Sequence, residues 1–324
     1  MSTLPSTMPS KYASADLSKA RTIPFAKRKN KVSIEQFASI PDWEGIEADP
    51  LSGLPDLLAA RDLRAVADAI AGAHKSGRAI VFMLGGHVVK TGCSPLLVDL
   101  IERRVITHLV LNGATAIHDY EIARFGQTSE DVAENLADAT FGMVDETGLE
   151  MNAAFQRGVE EGWGMGEALA RSLIDGNAAN AELSLMVAAH ESDAPVTVHV
   201  AIGADIIHQH PSCRGAAIGE TSYRDFRILV ESLKSLGAGG VVVNVGSAVI
   251  LPEVFLKALT LARNLGEDVD DFTAVNLDMI RHYRPEVNVI GRPVQSGGQG
   301  INLIGHHEIM IPLLYRAVAW RLGS

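Results

Sequence analysis

Three times along this chain an apolar run empties into a glycine-bearing loop and then a helix-like segment. The runs are residues 79–84 into Gly85-Gly86-His87, 109–111 into Asn112-Gly113-Ala114, and 241–245 into Gly246-Ser247. Continuous apolar runs mark strands buried on both faces, as in parallel sheets covered by helices. The pattern therefore predicts an α/β fold with a Rossmann-like parallel sheet. Its carboxyl edge would carry bare backbone N–H groups, where such sheets hold phosphates and dinucleotides.

The rest of the pattern fills in around those runs. Residues 1–50 are rich in Ser, Thr and Pro, lack sustained periodicity, and read as an N-terminal arm; residues 51–324 read as one domain. The spacing of Leu58, Leu63, Val66, Ala67 and Ile70 predicts an amphipathic helix over 54–74. Further helices are expected over 91–103, with Pro95 in the first turn, and over 114–125 and 129–139. A helical insertion spans about 147–190, with breaks near 162–164 and 176, and would layer over one side of the sheet. Strands are expected over 195–201, 273–277 and 287–290. Thr221 offers an N-cap for a helix running to about 236, and helices over 252–265 and 306–322 complete the reading.

Composition narrows the partners. The 324 residues carry a net charge of −11, yet residues 1–31 hold seven basic side chains against one acid, Asp16. The remaining body is thus strongly acidic, which repels phosphate backbones and argues against a nucleic-acid partner. The basic arm suits an RNA tether, a transit peptide, or a strap across its own acidic body or that of a neighbouring subunit, and the last is favoured. No apolar run reaches the roughly 18 residues of a membrane span. Cys93 and Cys213 are the only cysteines, a usage that fits a reducing cytoplasm.

The order of the loops resembles the deoxyhypusine synthase family over residues 79–318. Residues 82–92 (FMLGGHVVKTG) resemble its first strand and dinucleotide loop, and 109–119 its second strand and glycine loop. Residues 243–249 (VNVGSAV) are similar to its Gly-Gly-Gly-Val loop, and 304–314 (IGHHEIMIPLL) to its cofactor-contacting segment. The resemblance implies an NAD-binding fold in a homotetramer with active sites at subunit interfaces. By position, Gly85, Gly86, His87 and Thr91 would lie along NAD. Asn112, Gly113 and Asp119 would sit at the second loop, Asn244, Gly246 and Ser247 at the third, and His306 near the nicotinamide. The departures matter equally. The family's imine-forming lysine falls in Ser296-Gly297-Gly298-Gln299-Gly300 here, and no lysine follows Lys257. A glutamine amide forms no Schiff base, so the family's aminobutyl transfer is not expected. The family's acidic pair after the second loop is Ile117-His118 in this chain.

Other residues suggest different chemistry. Asp205, His208 and His210 follow a strand, and in extended backbone the two histidines would point the same way, for proton transfer or metal binding. Loop histidines in an ordinary polar network are the plainer reading, and no metal is assigned. His118 and Asp119 open a helix, where an acid complements the dipole or grips a ribose. His306 offers an acid or base, with Glu308 as capping chemistry. Gly297–Gly300 reads as a hairpin connection or a mobile lid, and Arg281 with Arg284 as a solvated turn or an anion clamp. The expected function is an NAD-dependent enzyme acting on a small polar substrate, a polyamine or amino acid, without a lysine imine. The candidate catalytic residues are His208, His210, Asp205, His306 and His118. The alternatives are a non-catalytic NAD- or metabolite-binding protein and, behind it, a metal-dependent hydrolase.

Overall fold

The apolar runs pair side by side as parallel strands. The computed structural model describes residues 17–37 and 49–323; of the arm, residues 1–16 and 38–48 lie outside the described residues. In chain order the strands are β1 (Asn30–Ser33), β2 (Ile80–Leu84), β3 (His108–Asn112), β4 (Gln127–Glu130), β5 (Val196–His199), β6 (Val241–Val245), β7 (Thr273–Asp278) and β8 (Gln299–Ile304). The first six helices are α1 (Leu58–Lys75), α2 (His87–Lys90), α3 (Ser94–Glu102), α4 (Gly113–Phe125), α5 (Val132–Ala137) and α6 (Asp145–Glu161). They are followed by α7 (Met165–Asp175), α8 (Leu185–Glu191), α9 (Gly215–Leu233), α10 (Ile250–Asn264), α11 (Tyr283–Asn288) and α12 (His307–Gly323).

Six strands form one sheet in the order β5-β3-β2-β6-β7-β8, with every neighbouring pair parallel. Numbered within the sheet, that is 3-2-1-4-5-6, the doubly wound Rossmann order. Alternate residues of each strand serve opposite layers. Ile80, Phe82, Leu84, Leu109, Leu111, Val243 and Val245 pack into a core shared with α1, α3, α4, α8 and α12. Val81, Met83, Val110, Val242 and Ala274 pack into a second core with α9 and α10. Burial on both faces explains why the strands read as continuous apolar runs. The exceptions are polar in register: Asn244 pairs with Asn276, and Asn276 with Asn302, forming a ladder of side-chain amides at 2.8 and 2.9 Å.

After β4 and the short α5, the helical segment comprises α6, α7 and α8, and α6 ends at Gly162 with a left-handed φ of 81°. Asp225 of α9 ties this layer to the sheet. Its Oδ2 accepts from the Gly166 N–H at 2.9 Å and the Val198 N–H at 2.7 Å, while its fully buried Oδ1 has no partner among the described residues. Residues 17–37 of the arm lie on the body: β1 pairs antiparallel with β4, Ile23 bridges Val144, and Phe25 stacks on Phe125 at 4.1 Å.

The sequence reading misplaced the last strand. Residues 287–290 belong to the helical turn at α11, where the Val289 and Ile290 N–H groups donate to the Pro285 carbonyl. The sixth strand is β8, whose first residues, Gln299 and Gly300, form strand rather than the lid or hairpin connection their glycines suggest. Its glycine-rich start hides it, but Gly300 is required: a Cβ there would lie 2.0 Å from the Ile290 carbonyl oxygen. Likewise α9 begins six residues before Thr221, which is buried in mid-helix and donates to the Ala217 carbonyl instead of capping.

Gly300→Ala should destabilise the fold by roughly 1–3 kcal/mol through overpacking. Gly72→Ala, in an exposed turn of α1 with nothing within 4 Å, should stabilise it by about 0.5–1 kcal/mol; urea unfolding of both variants checks the pair. Burial also pushes the Asp225 carboxyl up to about 8, so the folded state holds a proton that the unfolded chain has already lost above its ordinary range. Stability from this group is therefore lost as pH rises through about 8. Asp225→Asn should flatten the decline in unfolding free energy that runs from the ordinary carboxylate range up to about pH 8.

Candidate functional site

The strand order reverses between β2 and β6, and the two loops leaving this switch point are Gly85-Gly86-His87 and Gly246-Ser247. They press together: a Cβ on Gly85 would lie 2.1 Å from the Gly246 carbonyl oxygen, and Gly246 itself holds a φ of 68°. The backbone N–H groups of Gly86, His87, Ser247, Ala248 and Val249 donate to no acceptor among the described residues. A crevice with unspent donors on both walls suits a dinucleotide's phosphates. Side chains around it are largely committed. The Ser247 hydroxyl accepts from Leu251 N–H, the Asn244 amide donates to the Ser247 carbonyl at 3.0 Å, and the Thr91 hydroxyl bonds the His87 and Val88 carbonyls.

The histidine at the crevice is His307, the neighbour of the residue named from sequence. His306 is 65% exposed, 3.8 Å from Glu308, whereas His307 is fully buried with its ring against Gly246 and 5.6 Å from the exposed His87 ring. Neither His307 nitrogen makes a hydrogen bond of regular geometry, and burial lowers its pKa. In a His-His pair at a helix start, helix phase alone decides which side chain faces inward.

Beside the crevice lies a cavity of about 190 Å³, walled by Arg28 of the arm, Lys90 of α2, His118 and Glu121 of α4, Ser129 and Glu130 of β4, and Asp205 after β5. His118 joins the two sites, since its Cδ2 would be 3.1 Å from a Cβ on Gly86. Burial drives its pKa down to about 4, opposed by Glu121 and assisted by Lys90 and Arg28. The Asp205 carboxylate occupies the space a Cβ on Gly113 would need, is 10% exposed, and is pushed up to about 6 by burial. Lys90 is half-buried and has no acidic partner among the described residues. Glu130 is spent on the Asn135 amide and the Gly142 N–H. Arg28 and Thr128 belong to no local motif, and the arm and β4 bring them in by pairing; Lys90 lies in the 82–92 segment on α2, and Glu121 sits three residues after His118 on α4.

Several sequence candidates are engaged elsewhere. Asp119 is fully buried and accepts from Ser184 Oγ (2.6 Å) and the N–H groups of Leu185 and Met186 (2.8 and 3.1 Å), so it caps α8 and does not reach the crevice. Asn112 caps α4 by accepting from the Thr115 N–H at 2.9 Å. His208 sits in a 3-10 turn (Ile206–Gln209), not extended backbone, so the period-two pairing with His210 does not arise. His208 Nδ1 accepts from the N–H groups of Gly203 and Asp205, and its Nε2 is 3.9 Å from Asp205 Oδ2. His210 Nδ1 accepts from the Ser212 N–H, and its ring lies against Gly148 of α6, away from the cavity. Arg281 and Arg284 pair with Glu286 and Glu253. Among the described residues, no group of three or more His, Cys, Asp or Glu side chains is placed to hold a metal ion.

No family model and no curated protein matches the sequence. Solved structures do share its fold. A conserved protein of Methanococcus maripaludis S2 described as LOR/SDH matches at TM-score 0.50 and 15% identity, over 84% of this chain and 72% of that one. Unliganded AgrE matches at TM-score 0.51 and 15% identity, over 81% of this chain and 33% of AgrE. A protein of Entamoeba histolytica described as a deoxyhypusine synthase matches at 0.46 and 11%, over 79% and 86%. The chain thus spans about a third of AgrE. At these identities the first two likenesses establish a common Rossmann-like fold. One prediction concerns the cavity: His118, with its pKa near 4, should stay neutral well below the ordinary histidine range. Side-chain nitrogen NMR of the folded protein should show its charge change near pH 4.

Proposed function

We propose that the chain binds NAD across the β2–β6 crevice and uses it to oxidise a small amino-bearing substrate, an amino acid or polyamine, held in the adjoining cavity. The observation that carries this reading is the 3-2-1-4-5-6 strand order, with glycine loops and five unspent N–H groups at the point of reversal. The residues present fit the cofactor. The Gly86, His87 and Ser247–Val249 backbone would bind its phosphates, and buried His307 beside Gly246 would border it. When bound, NAD supplies the hydride acceptor.

The chain's own residues do the rest. Lys90 offers an ammonium to a substrate carboxylate, and Asp205 offers a carboxylate to a substrate ammonium. A substrate amine that gives up a hydride must also give up a proton, and His118, between cavity and crevice, is placed to take it. An enzyme-bound imine in the manner of the resembled family is not part of this chemistry, because no lysine follows Lys257. AgrE is known in a ternary complex with ornithine and NAD+ and, as a mutant, with L-arginine. Those ligands belong to AgrE and guide the choice of compounds to test.

Native mass spectrometry with added NAD should give a stoichiometric complex, and the same spectrum reports the oligomer, a tetramer if the family resemblance extends to assembly. Ornithine, arginine and polyamines should then be screened for NADH formation. Lys90→Met and Asp205→Asn should each raise KM for the active substrate roughly tenfold or more, the effect of removing a charged hydrogen-bond partner. Bound NAD with no reduced product from any amine would reassign the protein as a binding module. A chain that ignores NAD would end this reading.

A further inference from the structure

The cavity contains a hydrogen-bonded chain that decides which nitrogen of His118 carries its proton. It starts on the arm. Arg28 Nη1 and Nη2 donate to Glu121 Oε1 and Oε2 at 2.8 and 2.9 Å, with both side chains 1% exposed. Glu121 also accepts from Thr147 Oγ1 at 3.0 Å and from Thr128 Oγ1 at 2.5 Å. Thr128 Oγ1 in turn lies 2.7 Å from His118 Nδ1.

The direction of the last bond follows from counting protons. A carboxylate forked by a guanidinium has no proton to give, so the single hydroxyl proton of Thr128 goes to Glu121. What Thr128 presents to His118 is a lone pair, and Nδ1 must therefore donate. A neutral imidazole with its proton on Nδ1 has a free lone pair on Nε2. His118 Nε2 makes no hydrogen bond among the described residues and is not among the atoms sealed from solvent.

We propose that Arg28, Glu121 and Thr128 are positioning residues that hold His118 as the Nδ1–H tautomer, so that Nε2 is the proton acceptor of the site. Their role in turnover rests on the function proposed above; the tautomer itself does not. On accepting a proton at Nε2, His118 keeps its Nδ1–H bond to Thr128, so the chain serves both protonation states. The charged and titratable groups around the ring are Glu121 on α4, Lys90 and His87 on α2, and Arg28 on the arm. The arrangement also gives the arm a task. Pairing of Val32 with Thr128 across β1 and β4 fixes the hydroxyl, and Arg28, two residues before β1, fixes the carboxylate.

The test is nitrogen-15 NMR of the histidine side chains in the full chain, with His118 identified by its absence in His118→Gln. The expected wild-type signature is a protonated Nδ1 and an unprotonated Nε2. Thr128→Val should release the tautomer toward Nε2–H, and Thr128→Ser should restore it. With an active substrate, Thr128→Val should lower kcat by about 10²-fold, the lower range for loss of a general base, with NAD affinity unchanged and recovery in Thr128→Ser. A wild-type His118 protonated on Nε2 overturns the proposal, and that measurement stands even where Thr128→Val does not fold. An unchanged tautomer in folded Thr128→Val also overturns it. If the tautomer is as stated but the chain neither binds NAD nor turns over, the function proposed above fails while the relay stands.

Discussion

The approach of two backbones at Gly85 and Gly246 is the constraint around which the rest is arranged. Parallel strands at a topological switch send their following helices to opposite faces, which opens a crevice at their carboxyl ends. Here the crevice mouth is so narrow that a side chain at Gly85 would strike the facing carbonyl. Both walls are therefore bare peptide, and peptide N–H groups with no internal acceptor suit an anion. His307 packs against Gly246 from α12, and His118 packs against Gly86 from α4, so the two helices are registered to the two facing loops of one crevice.

The second organising feature is a buried charge. Burying an ion pair is costly unless every remaining lone pair is used, and leaving one partner alone typically costs about 3–5 kcal/mol. Glu121 meets that condition with four donors, one guanidinium fork and two hydroxyls. Arg28 adds a 2.7 Å bond from Nε to Asn30 and a stacking contact with Phe25. An arm that ended in solvent would leave Glu121 uncompensated in the interior. The basic character of the first residues is thus, at Arg28, a structural requirement of the acidic body.

Polar residues in the core otherwise serve as joints between layers. Asp119 caps α8, Asp225 joins α7 to β5, and Asn244, Asn276 and Asn302 form a ladder across three strands. Each uses a side chain to satisfy backbone or amide groups that burial would strand. This is why an acid next to a glycine loop was a poor guide to ribose binding. Asp119 and His118 are adjacent in sequence, but a helix turns them about 100° apart, one into the core and one into the cavity.

The sheet was legible in the chain because burial on both faces leaves a largely apolar signature that local sequence carries by itself. The runs at β2, β3 and β6 and their glycine loops could be read directly, and so could the acidic body with its basic arm. The sixth strand could not, since β8 opens on Gln299 and Gly300, where close packing against Ile290 calls for glycine and removes the apolar signal. Nor could the site: in the Arg28–Glu121–Thr128–His118 chain, Arg28 and Glu121 bond across 93 positions of sequence, and no local pattern encodes it. Which of His306 and His307 faces the crevice, and whether His208 and His210 share a face, turned on backbone conformation that packing selects. Periodicity reports which side of an element is buried; which buried groups meet is settled by long-range pairing, which sequence-local physics does not see.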